Sequence, residues 1–225
     1  MSRDGLGGAR SLRETLDVGW LRRHFATAAA PAESLYGDEG TLAERAGAST
    51  PAAVLVPIVD RGSEGPAENP AGLTVLLTVR APHLKMHSGQ VSFPGGRIDP
   101  QDSTPEAAAL REAREEIGLD AGRVELLGRL PDYRTGTGYR ITPVVGVLTP
   151  PFELSPDPGE VSEVFEVPLA VFLDPANHRR DSREWQGRVR HFFVIPHERH
   201  YIWGATAGML INLYRYLAQG LHRAR

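Results

Sequence analysis

The chain reads Arg111-Glu112-Ala113-Arg114-Glu115-Glu116-Ile117-Gly118-Leu119 shortly after Phe93-Pro94-Gly95-Gly96. This stretch decides the fold. Thr104 suits the N-cap of a helix, Pro105 its first position and Gly118 its C-terminal cap. Glu112, Glu115 and Glu116 are spaced i,i+3 and i,i+4, so they share a face. Leu110, Ala113 and Ile117 repeat on another face and can seat the helix on a core. Carboxylates converging on one side repel unless cations compensate them, and an all-oxygen ligand set suits Mg²⁺ or Mn²⁺. The helix therefore points to metal-assisted phosphoryl chemistry. Arg111, i,i+4 from Glu115, can orient that carboxylate through a bidentate contact. A helix rich in Glu and Arg is otherwise a solvated face laced with weak ion pairs. The glycine turn before it and further motifs upstream decide against that reading.

Outward from the helix, strands are expected at Ala52 to Val59 and Leu73 to Val79, with a turn-rich loop from Asp60 to Ala71 between them. Further strands are expected at Val124 to Leu130, Ile141 to Leu148, Val164 to Pro168 and Val189 to Ile195. An amphipathic helix from Thr206 to Leu221 carries Met209, Leu210, Leu213 and Leu217 on one stripe. Ser11 to Thr27 has a looser helical pattern through Leu12, Leu16, Val18, Leu21 and Phe25, behind a tail, Met1 to Gly8, with the composition of disorder. The expected fold class is α+β, an α/β/α sandwich. Residues 1–48 form an N-terminal helical extension, partly disordered, and residues 49–221 the catalytic domain.

Composition narrows the function classes. A chain of 225 residues with a formal charge of −3 offers no basic field for duplex nucleic acid. Cysteine is absent, which removes disulfides, a thiolate nucleophile and a cysteine zinc site, and suits a reducing, cytoplasmic setting. No apolar run is long enough to span a membrane, and no signal-peptide core follows Met1. Lys85 is the only lysine, so arginine carries nearly all the positive charge.

Gly95-Gly96 followed by Arg111-Glu112 and Glu115-Glu116-Ile117-Gly118-Leu119 resembles the Nudix box, G-x5-E-x7-R-E-U-x-E-E-x-G-U with U a bulky apolar residue. The second half matches at every fixed position, although Ala113 is small for its U position. In the first half one residue is inserted: counting forward from Gly96 reaches Asp102, counting back from Arg111 reaches Ser103, and Asp stands in for Glu. Upstream, Leu76-Leu77-Thr78-Val79-Arg80 and His87-Ser88-Gly89-Gln90-Val91-Ser92-Phe93-Pro94-Gly95-Gly96 resemble the coenzyme A pyrophosphatase branch of that family. Tyr133 to Tyr139 and Trp203 to Ala207 are similar to the same branch, so the resemblance covers most of the chain.

The resemblance implies the Nudix fold, a mixed sheet flanked by helices, and hydrolysis of the pyrophosphate of coenzyme A (CoA) or a CoA ester. It places metal ligation on Glu112 and Glu116, with Glu115 a third ligand or the base, and gives Gly96 a carbonyl near the metal. The family's last acidic group often lies outside the box; Glu160 is favoured for it over Glu163. Phosphate-binding candidates are Arg80 and Arg97, then Lys85 and Arg134. His87 can contact phosphate or bond the Gly95 turn, and Gln90 can bind substrate or brace that turn. Tyr133 and Tyr139 can stack on adenine or pack inside, and Trp203 is expected in the core. Two other readings stand beside this one: a Nudix hydrolase of ADP-ribose or dinucleoside polyphosphates, and a non-catalytic Nudix-like ligand sensor. The N-terminal helix can cover its own domain or serve a homodimer.

Overall fold

The computed structural model describes residues 16–28, 49–62, 72–185 and 188–223. The first element, α1 (Val18–Thr27), starts at Asp17, whose side chain caps the Trp20 amide. Then come β1 (Thr50–Asp60), β2 (Leu73–Arg80), β3 (Val91–Ser92), β4 (Gly95–Arg97) and α2 (Pro105–Ile117). Next are β5 (Val124–Arg129), β6 (Tyr133–Arg134), β7 (Tyr139–Leu148), β8 (Val161–Pro168) and α3 (Leu169–Phe172). The chain ends with β9 (Arg179–Trp185), β10 (Arg188–His197), β11 (His200–Trp203) and α4 (Gly204–Arg223).

One mixed sheet runs β3-β2-β1-β7-β5, with β4 added to β1, β6 to β7 and β8 to β2. A second sheet is the meander β9-β10-β11. In the centre β1 lies parallel to β7 over their whole length, Thr50 opposite Tyr139 through Val59 opposite Leu148. Helices cover both faces, which is why Ala52 through Val59 are buried without alternation. Val54, Val56 and Ile58 join the core under α1 and α4, whereas Ala53, Leu55 and Val59 meet Ala108, Ala109, Ala113 and Ile117 of α2. The alanines let α2 lie close to the sheet. Its ends are as the sequence implies: Thr104 Oγ1 accepts from the Ala107 amide at 3.1 Å, and Gly118 closes the helix at φ 68°.

Neighbouring strands β1 and β2 pair only from Ile58 to Asp60. Toward the other end of β1 the partner is β4, with Ala52, Ala53 and Val54 opposite Arg97, Gly96 and Gly95. The two strands therefore splay, and the glycine turn fills the opening. Arg80, at the end of β2, stands at the same opening.

Several expectations need correction. The helix expected over Ser11 to Thr27 is described as Val18–Thr27, with Asp17 in extended conformation as its N-cap. Ser11 and Leu12, like the tail Met1 to Gly8, lie outside the described residues. The helix covers its own domain, with Leu16, Val18 and Leu21 in the main core and His24 Nε2 3.0 Å from the Tyr216 carbonyl. Strands β3, β4, β6, β9 and β11 escaped the sequence reading, because two to four residues are too few to alternate and β9 is nearly all polar. β8 begins at Val161, so Glu163 belongs to a strand and not to the loop before it. Leu110 is half-buried, the α2 core face being Ala109, Ala113 and Ile117. Trp203 is half-buried, edge-on to Phe192 at 5.2 Å between ring centroids.

Candidate active site

The site forms where α2 crosses the splayed strands. The Gly95 amide, at the edge of β1, donates to Glu116 Oε2 at 3.1 Å, and Arg80 Nη1 stands 3.7 Å from Glu116 Oε1. The Glu116 side chain is 4% exposed, which makes it a carboxylate inside the protein. Burial pushes its pKa up to about 7, against the pull of the Gly95 amide and Arg80, and the charges of Glu160 and Glu112 push the same way. Glu112, one turn earlier, is also raised: burial is the largest cause, Arg111 opposes it, and Glu115 and Glu160 add to it. Glu160, just before β8, is thus within electrostatic reach of both. Its carbonyl accepts from the Ala81 amide at 2.8 Å, which ties it beside Arg80.

Gly96 is required by space and not by its dihedral. A Cβ there would lie 2.5 to 2.6 Å from the Glu112 carboxylate atoms. Gly95 combines φ 155° with a Cβ position 2.5 Å from the Ala53 carbonyl.

The glutamates do not form one converging triad. Glu112 and Glu116, i,i+4, both lie against the glycine turn, Glu112 beside Gly96 and Glu116 on the Gly95 amide. Glu115, about 100° round the helix from Glu116, has a side chain 56% exposed and is held outward by Arg111. Among the described residues, no three His, Asp or Glu side chains stand together as a ready-made cation site. The bidentate contact of Arg111 goes to Asp102 and not to Glu115: Nε to Oδ1 is 3.1 Å and Nη2 to Oδ2 3.0 Å. Its Nη1 reaches Glu112 at 2.9 Å and Glu115 at 3.0 Å, and Nη2 also donates to the Arg97 carbonyl. The Arg111 bond holds the Asp102 pKa below the usual carboxylate range, against burial and with help from the Asp99 amide. Asp102 thus anchors the arginine that braces two box glutamates, a part that spacing alone left open.

The other predicted residues divide. His87 Nδ1 lies 2.9 Å from Gln90 Oε1, so these two bond each other and not the Gly95 turn. Arg97 donates to Tyr139 Oη at 3.1 Å and lies over its ring, while Arg134 is exposed on β6 opposite Arg140. Lys85 is exposed on the β2–β3 connection. Tyr133 is a core residue. Glu163 faces away from the carboxylates, paired with Arg199 and 3.4 Å from His200 Nε2.

The donor chemistry fits a hard divalent cation: burial raises the pKa of both carboxylates, the charge of Glu112 adds to the rise at Glu116, and the absent Gly96 side chain keeps the space beside Glu112. A mixed sheet between helices, with paired glutamates on the helix after a glycine turn and an arginine beside them, defines a pyrophosphohydrolase. The chain belongs to the Nudix family, whose members use divalent metal ions such as Mg²⁺ or Mn²⁺ on small-molecule substrates: the NUDIX domain profile matches residues 49–186. It is 42% identical over 164 residues to the uncharacterized Nudix hydrolase NudL of Escherichia coli (strain K12), covering 72% of this chain and 80% of that one. With NudL of Klebsiella pneumoniae subsp. pneumoniae it shares 44% over 170 residues, at the same coverage. Among solved structures, the NUDIX domain of Shewanella oneidensis NrtR, complexed with ADP ribose, aligns with TM-score 0.46 and 19% identity over 78% of this chain and 90% of that one. No helix among the described residues is long and apolar enough to cross a membrane.

Proposed function

We propose that this Nudix hydrolase is a Mg²⁺- or Mn²⁺-dependent coenzyme A diphosphatase. It hydrolyses CoA or a CoA ester to 3′,5′-ADP and 4′-phosphopantetheine or its acyl form. The observation that carries the reading is Arg80. It closes the Leu76-to-Arg80 block that resembles the CoA branch, and its Nη1 stands 3.7 Å from the buried Glu116. The His87-to-Gly96 block, leading into the Gly95–Glu116 bond, supports the same substrate.

Glu112 and Glu116 would hold the metal, which supplies neutralisation of phosphate charge and acidification of a bound water. Arg80 offers its guanidinium to a pyrophosphate oxygen in a cleft where Glu116 keeps it oriented. Its Nε, buried without a hydrogen-bond partner among the described residues, is a donor free for phosphate. Glu160 takes the proton as water adds to phosphorus and the bridging P–O bond breaks. Glu115, exposed and tethered to Arg111, is the weaker candidate for that part. Asp102, through Arg111, keeps Glu112 from turning away.

Product analysis on CoA, acetyl-CoA, ADP-ribose and NADH, each with Mg²⁺, Mn²⁺ or EDTA, tests the reading. Metal-dependent 3′,5′-ADP from CoA is expected, lost in Glu160→Gln and retained in Glu163→Gln. Turnover of ADP-ribose or NADH well above CoA refutes the substrate.

A further inference from the structure

A cavity of about 520 Å³ lies against β8. Phe165, Glu166 and Pro168 of that strand form its floor, Val171 of α3 one wall, and His197 and His200 of the β10–β11 turn the other. Its volume is in the range of small-molecule sites.

Three features describe what it can hold. β8 pairs with β2 alone, so among the described residues its other edge presents amides and carbonyls that no strand satisfies. His200 stacks face to face on Phe165, ring centroids 3.6 Å apart and 5° from parallel. The His200 side chain is only 10% exposed, and its Nδ1 is buried with no hydrogen-bond partner among the described residues. The pocket thus offers a strand edge and one imidazole nitrogen to a ligand with polar groups spaced along an extended chain. Arg199, paired with Glu163, is not free to attract an anion. The match is to neutral amides.

The cavity and the site are joined by one strand, β8. Glu160, tied beside Arg80 by the Ala81 amide, immediately precedes β8, and Phe165 lies five residues farther along. At about 3.3 Å per residue that is about 16 Å, the reach of an extended pantetheine arm of about a dozen bonds.

We propose that the outer edge of β8 and its cavity receive the pantetheine arm of the substrate, its two amides pairing with the strand as an added β-strand does. This rests on the CoA reading above and extends it to the half of the substrate that does not react. Adenosine and pyrophosphate stay at the α2 end, the thiol or thioester reaches the Phe165–His200 stack, and a short acyl group has the rest of the cavity.

Ala170 also lines the cavity, and Ala170→Trp would fill it. Calorimetric titration with pantetheine, which lacks pyrophosphate and adenosine, reads the pocket without reference to turnover. The wild type is expected to bind and Ala170→Trp to lose at least tenfold in affinity, with the thermal midpoint unmoved. KM for CoA rises at least tenfold in the same variant, whereas any turnover of ADP-ribose, which has no such arm, stays as it was. His200→Leu, of similar bulk, weakens pantetheine about fivefold and serves if the tryptophan variant fails to fold. No pantetheine binding by the wild type, or equal binding by wild type and both variants, overturns the inference. Pantetheine binding lost on filling the cavity, without CoA cleavage, upholds the pocket and discards the diphosphatase reading.

Discussion

Glu116 should make the metal-free protein less stable as pH rises, and Glu116→Gln should abolish that loss. An ordinary glutamate ionises at 4.5; burial lifts this one to about 7. A carboxyl whose folded pKa lies above its unfolded value contributes stability below the unfolded pKa. That stability is lost as pH climbs through the folded pKa. Between pH 4.5 and 7 the folded state holds a proton that the unfolded chain releases. At about 1.4 kcal/mol for each tenfold in proton affinity, the full effect is about 3 kcal/mol. Glutamine keeps the acceptor for the Gly95 amide and has no charge to bury. In EDTA at pH 8 the variant should unfold about 2–3 kcal/mol later than wild type, about 6–10 °C in midpoint for a chain of this length. At pH 4.5 the two should nearly coincide. Mg²⁺ at pH 8 should stabilise the wild type and leave the variant almost unmoved, and turnover should fall at least a hundredfold. Urea or thermal unfolding at three pH values, with and without Mg²⁺, reads all of this. A variant no more stable at pH 8, or a gap that does not change with pH, would refute the reasoning.

Two further substitutions separate the site from the scaffold. Gly96→Ala drives a methyl group to within 2.5 Å of the Glu112 carboxylate, the movable end of a side chain. Turnover should fall at least tenfold while the thermal midpoint moves by less than about 3 °C; an active variant sinks the idea that this space is needed. Asp102→Asn weakens the two-bond anchor of Arg111 and should lower kcat about tenfold with KM little changed, at about 1–2 kcal/mol in stability. Unchanged kcat in steady-state assays would show that Glu112 needs no such brace.

Local physics made much of this protein legible from its sequence. Thr104, Pro105 and Gly118 bound α2 because caps depend only on near neighbours. The long strands and α4 were readable from runs of apolar and β-branched residues. Glu112 and Glu116 share a face through the helical repeat alone, which is also why Glu115, a residue away, does not join them. The tertiary structure decided everything that depends on chain crossing: that β1 and β2 splay, that the glycine turn enters between them, and that Arg80 and Glu160 arrive beside Glu116 from distant strands. It also gave Asp102 to Arg111, because the turn in which the Asp99 amide bonds Asp102 absorbs the extra residue in the motif. The spacing of a motif measures distance along the chain. A carboxylate's pKa and partners depend on which surfaces the fold brings against it, and that is settled only when the sheet and its helices close.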